Sequence, residues 1–225
     1  MLKMGLFITI EGIDGSGKTT FAKSLVDAIK RSELIKSPYY TGVVFGREPS
    51  DGFYGSRVRN ILSGNIKATS WPWEKALLFA LDRAEDVDTL IKPNLAKNKI
   101  VILDRYIHSQ LAYQAAEGLD LNILISLNKE FPQPDIVFFL DIDPTSALER
   151  VKDRINKTYL GKLTLFEKID FLSEVSNNYK KFIERRLLAK HFVILDATNP
   201  TNILVDKALK IIRKIAADVL KSKEA

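Results

Sequence analysis

Gly12, Gly17, Lys18 and Thr19 stand in the spacing G-x-x-x-x-G-K-[ST], a pattern whose chemistry is the binding of a polyphosphate. The full run is Gly12-Ile13-Asp14-Gly15-Ser16-Gly17-Lys18-Thr19-Thr20. A loop wrapped around phosphates must aim several main-chain N–H groups inward, and glycines permit the backbone angles and the close approach. A helix opening directly after the loop presents its unpaired N–H groups and positive dipole end to the same anion. Lys18 can then reach the β and γ phosphates, and the Thr19 hydroxyl can ligate Mg²⁺. The apolar run Leu6–Ile10 before the loop and the amphipathic run ending near Arg31 supply the strand and helix that this chemistry needs. The bland alternative is a glycine-rich turn that binds nothing, and the loop alone does not say what becomes of a nucleotide.

Three further clusters have chemical potential. Arg47-Glu48-Pro49-Ser50-Asp51-Gly52 reads as a turn, with Arg57 and Arg59 in a helix beyond it. A turn carrying Arg47 at a strand's carboxyl end suits an anion, and ordinary surface charge is the alternative. In Trp73–Lys92, a long helix ending at Pro93, the stripe Leu77, Leu81, Ala84 and Ile91 is expected to face the core. Phe79, Arg83 and Asp86 then fall on the far face, where an aromatic and an arginine one turn apart can cover a flat ring and bond its edge. Packing of Phe79 under another element is the alternative. Asp104 ends an apolar run and can contact the Mg²⁺ shell. If the following segment is helical, Arg105, Ser109 and Tyr113 share one face, suited to a phosphorylated, hydroxylated ligand. A row of charges, Arg150, Lys152 and Arg154, lies on a later helix; a solvated charged face is its bland reading. His108 and His191 are the two histidines and are expected to be non-catalytic.

These residues need a frame. Five apolar runs, Leu6–Ile10, Val43–Phe45, Ile100–Leu103, Ile136–Asp141 and Phe192–Asp196, alternate with helical patterns. That order predicts an α/β protein with a buried parallel sheet covered on both faces. Ligands in such sheets bind beyond the carboxyl ends of the strands, where each run here turns polar. Further helices are expected over Phe166–Leu188 and Asn202–Leu220. A chain of 225 residues with 46% hydrophobic content suits a single large domain. No apolar run approaches the ~20 residues of a membrane span, and no signal peptide is expected. The absence of cysteine excludes disulfides and thiolate metal sites and favours a cytoplasmic protein. The net charge of +6 suits an anionic ligand, but 34 basic residues are offset by 28 acidic ones spread along the chain. Nucleic-acid binding is therefore not expected.

Taken together, the motifs resemble the thymidylate kinase family of the nucleoside monophosphate kinase group. The likeness runs from Phe7 to about Ile212. It rests on Glu11–Thr20, Arg47-Glu48-Pro49, Leu78-Phe79-Ala80-Leu81-Asp82-Arg83, Asp104-Arg105-Tyr106 with Ser109 and Ala112-Tyr113-Gln114, and Leu140-Asp141, in that order. It implies a three-layer P-loop kinase fold over residues 1–225, with a five-stranded parallel sheet and a lid at about 150–162. The implied activity is Mg²⁺-dependent transfer of the ATP γ-phosphoryl group to dTMP, by a homodimer. Phe79 would stack on the thymine, Arg83 bond its carbonyl and Gln114 its edge. Tyr113 would crowd the sugar 2′ position, and Asp14 would contact a sugar hydroxyl. Arg105 would hold the acceptor phosphate, with Glu48 near that phosphate and the metal, and Arg59 within reach. Arg150 and Arg154 would belong to the lid, and the loop around Ala197 would border adenine. Since Gly15-Ser16 place no arginine in the phosphate loop, the lid row must supply the charge on the transferring group. Two departures stand out: Ser50-Asp51-Gly52 replaces the Gly-Gly-Thr of many relatives, and no further arginine follows Arg154 in the lid. The rival readings are a related kinase of looser specificity, for example one also using dUMP, and a nucleotide-binding switch or ATPase.

Overall fold

The computed structural model describes residues 5–35, 40–69, 71–158 and 169–224; for 153–158 and 218–224 it describes the backbone. Five strands, β1 (Leu6–Glu11), β2 (Val43–Arg47), β3 (Ile100–Asp104), β4 (Ile136–Asp141) and β5 (His191–Asp196), form one parallel sheet in the order β2-β3-β1-β4-β5. The central strands are the uninterrupted apolar ones. Leu6, Phe7, Ile8 and Ile10 of β1 and Ile100–Leu103 of β3 are at most 2% exposed. The edge strands β2 and β5 are only partly buried, so the expectation of five buried strands holds for the middle three.

The helices are α1 (Lys18–Arg31), α2 (Phe53–Leu62), α3 (Trp73–Asp86), α4 (Lys92–Ala96), α5 (Ile107–Ala116), α6 (Leu121–Asn128), α7 (Pro144–Thr158), α8 (Ile169–Glu184) and α9 (Thr201–Glu224). The β1–α1–β2 connection runs in one direction across the sheet, and the β3–β4 and β4–β5 connections run in the other. Right-handed crossovers therefore set α1 on one face and α5 and α8 on the opposite one. Packing agrees: α1 lies against α9, and α5 against α8 and α6. The reversal falls between the neighbouring strands β1 and β3, whose carboxyl ends bear the Gly12–Thr19 loop and Asp104-Arg105. Such a switch point opens the crevice where open α/β sheets bind ligands.

The long helix after Trp73 corrects two expectations. It does not end at Pro93. A π-helical turn, Val87–Ile91, follows α3 and hands over to α4, with Pro93 in its first turn. The early positions of a helix need no intrahelical N–H bond, so proline is tolerated there. The buried face is also different. Ala76, Ala80, Asp82, Arg83, Asp86 and Val87 are buried, whereas Leu77 and Leu81 are 39% and 43% exposed and Ala84 is intermediate. Of the expected stripe only Ile91 is fully buried. The cause is a polar network at Arg83, described below.

His108 of α5 is fully buried, edge-on to Phe192 at 5.2 Å, with Nε2 2.8 Å from the Leu187 carbonyl. Burial pushes its pKa down to about 4. An unfolded histidine titrates near 6.5, so below that pH the unfolded chain binds a proton that the native chain does not. Its contribution to stability is complete above pH 6.5 and is lost as the pH falls toward 4. The stability advantage of wild type over His108→Gln is therefore expected to shrink by about 2 kcal/mol between pH 7 and 5. Urea unfolding at both pH values measures this, and a constant gap would mean a charged native imidazole.

Candidate active site

The phosphate loop leaves β1 and enters α1 through two glycines in the left-handed region. Gly17 caps α1 with φ 89°, and no atom lies within 4 Å of where its side chain would start. Gly15, at φ 87°, lies against α7: a Cβ there would meet the Ala147 carbonyl oxygen at 2.1 Å. Lys18 folds over the loop, its Nζ donating to the Ile13 carbonyl at 2.7 Å. Burial and the Arg105 charge bring its pKa down to about 8, against the pull of Asp14, Asp104 and Glu11. A cavity of about 300 Å³ opens over this loop, lined by Asp14, Gly15, Gly17, Lys18, Thr19, Thr20, Asp104, Arg105 and Arg150.

At the floor of that cavity Thr19 Oγ1 donates to Asp104 Oδ2 at 2.5 Å. Asp104 Oδ1 is buried and has no hydrogen-bond partner among the described residues. A hydroxyl beside a half-satisfied carboxylate, next to a phosphate loop, is a donor set of hard oxygens that fits Mg²⁺.

Arg105 borders this cavity and a second one. It sits between β3 and α5 rather than in the helix, with φ 72°. That conformation costs a non-glycine residue on the order of 1–3 kcal/mol and persists only where surroundings fix it. The fixing contacts are visible. The main-chain N–H of Arg105 donates to the Ile10 carbonyl at 3.0 Å. Its side chain donates to Ser109 Oγ at 3.0 Å and to Asp14 Oδ1, and lies 5.0 Å from the centre of the Tyr113 ring. The Tyr113 hydroxyl accepts from the main-chain N–H of Asp14 at 3.0 Å. Burial alone would raise the Asp14 carboxyl, but Arg105 and Lys18 outweigh it and hold it below the usual carboxylate range. The expected trio of Arg105, Ser109 and Tyr113 is thus brought together, although only the last two are helical.

The second cavity, of about 150 Å³, is lined by Asp14, Glu48, Pro49, Phe79, Arg105, Ser109, Tyr113 and Gln114, with Leu62, Lys75, Tyr106, Gln110 and Glu117. Gln114 is buried, and neither atom of its amide has a hydrogen-bond partner among the described residues. An unpaired buried amide costs roughly 1–3 kcal/mol, and it is a ready recogniser for a ligand's edge. Arg83 stands behind this wall. It is fully buried, donates to Glu48, Gln110 Oε1 and Asn128 Oδ1, and lies 4.9 Å from the centre of the Tyr106 ring.

A family model described as thymidylate kinase matches residues 10–208. The chain belongs to the thymidylate kinase family. It is 44% identical over 184 residues to a "Probable thymidylate kinase" of Pyrococcus horikoshii, covering 80% of this chain and 83% of that protein. The likeness to a "Probable thymidylate kinase" of Thermococcus gammatolerans is 38% over 223 residues, 96% of this chain and 99% of the relative. A bacterial "Thymidylate kinase" of Xanthomonas oryzae is 43% identical over 151 residues, 67% of this chain and 62% of the relative.

For a member of this family, not every site residue expected from sequence reaches the two cavities. Arg47 is half exposed and pairs with Asp51 at 2.8 Å. Arg59 lies against the same turn, donating to the Pro49 and Ser50 carbonyls and pairing with Asp51 at 2.9 Å. Neither lines either of these two cavities. Glu48 lies in the Phe79 cavity with its carboxylate bound to Arg83, while its main-chain N–H donates to the Asp104 carbonyl at 3.0 Å. Arg150 lines the loop cavity and donates from both terminal nitrogens to the Ala197 carbonyl at 3.1 and 3.2 Å, tying α7 to the loop after β5. The Arg154 side chain and the lid residues 159–162 lie outside the described residues. Sequence reading missed the supporting residues Glu11, Asp82, Gln110, Asn128 and Tyr179. Asp82 accepts from the Ser50 main-chain N–H at 2.9 Å and its hydroxyl at 2.5 Å, which holds the unusual Ser50-Asp51-Gly52 turn in place. The one signal available was an acid preceding Arg83 inside a helix otherwise rich in Ala and Leu.

Proposed function

We propose that this chain transfers the γ-phosphoryl group of ATP to dTMP, giving dTDP, with Mg²⁺, as a single cytoplasmic kinase domain. The observation that carries the reading is that the two cavities share Asp14 and Arg105. Two phosphorylated ligands, one on the Gly12–Thr20 loop and one in the Phe79–Gln114 cavity, would meet at that pair.

The Gly12–Thr20 loop and the start of α1 hold the donor phosphates, with Lys18 on the β and γ groups, while the main-chain N–H groups of Asp14 and Ser16 brace the loop on the Tyr113 hydroxyl and the Ile13 carbonyl. Thr19 and Asp104 would hold the metal, which when bound neutralises charge developing on the phosphate oxygens. Arg105 binds the acceptor phosphate beside the donor, converting an encounter of two anions into an oriented pair. Asp14 bonds the acceptor sugar while fixing Arg105. Phe79 stacks on the pyrimidine, Tyr113 restricts the sugar 2′ position, and Gln114 reads the base edge. Glu48 lines that pocket; Arg83, expected to bond the base carbonyl, is fully buried behind it and acts through Gln110. Arg150, with Arg154, Arg47 and Arg59, adds positive charge around the cleft. Ala197 borders the donor base. A homodimer is part of the proposal; the exposed Leu77 and Leu81, one turn apart on α3, support it.

A panel of monophosphates with ATP and Mg²⁺ is the test. dTMP is expected to be turned over faster than AMP, CMP and UMP, and any of those overtaking it would sink the assignment. Gln114→Leu is expected to raise the KM for dTMP by about 10–100-fold while leaving the KM for ATP within about twofold, the cost of one lost polar edge contact. A second reading, equal use of dUMP, rests on the small worth of one methyl group, ~1–3 kcal/mol, and the dTMP:dUMP rate ratio decides it.

A further inference from the structure

Glu11, the last residue of β1, is fully buried and lines neither cavity, yet it bonds two residues beside Arg105. Its Oε1 accepts from the main-chain N–H of Tyr106, the residue directly after Arg105, at 2.9 Å. Its Oε2 accepts from the Ser109 hydroxyl at 2.5 Å and from the Tyr179 hydroxyl of α8 at 3.1 Å. Ser109 Oγ in turn accepts from Arg105 Nη1 at 3.0 Å.

Proton counting fixes the direction of this chain. Burial pushes the Glu11 carboxyl above its ordinary range, with the Ser109 and Tyr179 hydroxyls and the Arg105 and Lys18 charges pulling it back. In its ionised form the carboxylate only accepts, and a serine hydroxyl has one proton and two lone pairs. With its proton on Glu11, Ser109 Oγ keeps two lone pairs, one turned to Arg105 and one to the Tyr179 hydroxyl 2.8 Å away. Arg105 therefore has Ser109 on one terminal nitrogen and Asp14 on the other, while its strained backbone is pinned by the Tyr106 N–H. We infer that Glu11 is a positioning residue for Arg105, acting through Ser109 and Tyr106 to hold the guanidinium at the boundary of the two cavities. Tyr179 extends the network into α8, so α5, α8 and β1 converge on one arginine.

The neutral isostere separates this role from packing. In Glu11→Gln the amide oxygen can still accept from Tyr106, but the amide nitrogen donates to Ser109 Oγ. The amide, both hydroxyls and Arg105 then compete for the lone pairs of Ser109 and Tyr179, so the bond from Arg105 to Ser109 is weakened. The expected result is a fall in kcat for dTMP of about tenfold or more, with the KM for ATP within about twofold, since a buried hydrogen bond is reversed. In a Ser109→Ala background the same change should add less than about twofold, because contacts in one network do not add. A kcat within twofold of wild type, or full additivity of the two changes, would overturn the inference. If Glu11→Gln does not fold, Ser109→Ala decides alone. A tenfold loss of kcat at unchanged KM for dTMP supports the relay, and unchanged kcat overturns it. The inference rests on the proposed dTMP kinase reading, which wild-type turnover of dTMP in the same assay checks separately.

Discussion

Replacing Arg105 with alanine is expected to lower kcat with ATP and dTMP by about 10³–10⁵, with ATP affinity changed by less than about threefold. Phosphoryl transfer needs little covalent help; it needs alignment and positive charge where the phosphate oxygens gather charge. Among the described side chains only Arg105 and Asp14 border both cavities, and Arg105 is the cation of the two. Its loss removes charge at the point of transfer, whereas the glycine-rich amides, Lys18 and the start of α1 stay in place for ATP. Two side effects have known signs. The Arg105 charge helps depress Lys18, so the Lys18 ammonium becomes harder to deprotonate in the variant. Asp14 loses its largest stabilising charge, so its pKa rises toward the ordinary value. Neither change weakens ATP binding near neutral pH. Single-turnover kinetics together with an equilibrium ATP titration separate the two quantities. A kcat within tenfold of wild type would remove Arg105 from the transfer step. Arg105→Lys should fall between, since an ammonium keeps the charge but cannot span Asp14 and Ser109 at once.

Much of this was legible in the residues because the signals are local. The phosphate loop declares itself through the spacing of Gly12, Gly17 and Lys18, and the strands through short apolar runs between helical patterns. Ser109, Tyr113 and Gln114 follow Arg105 at intervals that a helix turns into one cluster, and the structure places all of them at one cavity. What failed was the face of α3. An amphipathic reading sends charge outward, yet Asp82, Arg83 and Asp86 point inward and Leu77 and Leu81 outward. The reversal depends on Glu48, Gln110 and Asn128, which come from three other segments and meet only in the fold. No window of sequence holds that information. The π turn at Val87–Ile91 had a local trace in Pro93, but that residue reads equally well as a helix end. Glu11 was hidden for a related reason: a polar residue ending a strand is ordinary, and its meaning comes from Tyr179, which lies 168 residues away.

The inward face of α3 makes Arg83→Leu the variant with the largest expected stability loss, about 3–5 kcal/mol. A leucine fills much of the space, so volume is not the cause. Among the described residues Arg83 is the cation paired with the buried Glu48, and it also satisfies the carbonyl oxygens of Gln110 and Asn128. Burial already pushes the Glu48 carboxyl up to about 8 with Arg83 pulling against it, and burial with the neighbouring Asp82 raises Asp86 to about 7. Without Arg83 the native Glu48 holds its proton to still higher pH, while the unfolded side chain releases it near its ordinary value. The unfolded state then binds fewer protons over that whole range, so stability falls as the pH rises, and in the variant the fall continues above pH 8. Urea unfolding should therefore show a larger deficit for Arg83→Leu at pH 9 than at pH 6. A deficit that is smaller at pH 9, or below about 1 kcal/mol throughout, would mean that Glu48 does not depend on Arg83. The double variant Arg83→Leu/Glu48→Leu completes the cycle. Removing the stranded carboxyl as well should recover part of the loss and flatten its pH dependence, because an uncompensated buried charge costs more than the absence of the pair. Stability recovered in this way need not restore turnover, since Gln110 would still face the Phe79 cavity without the arginine that orients it.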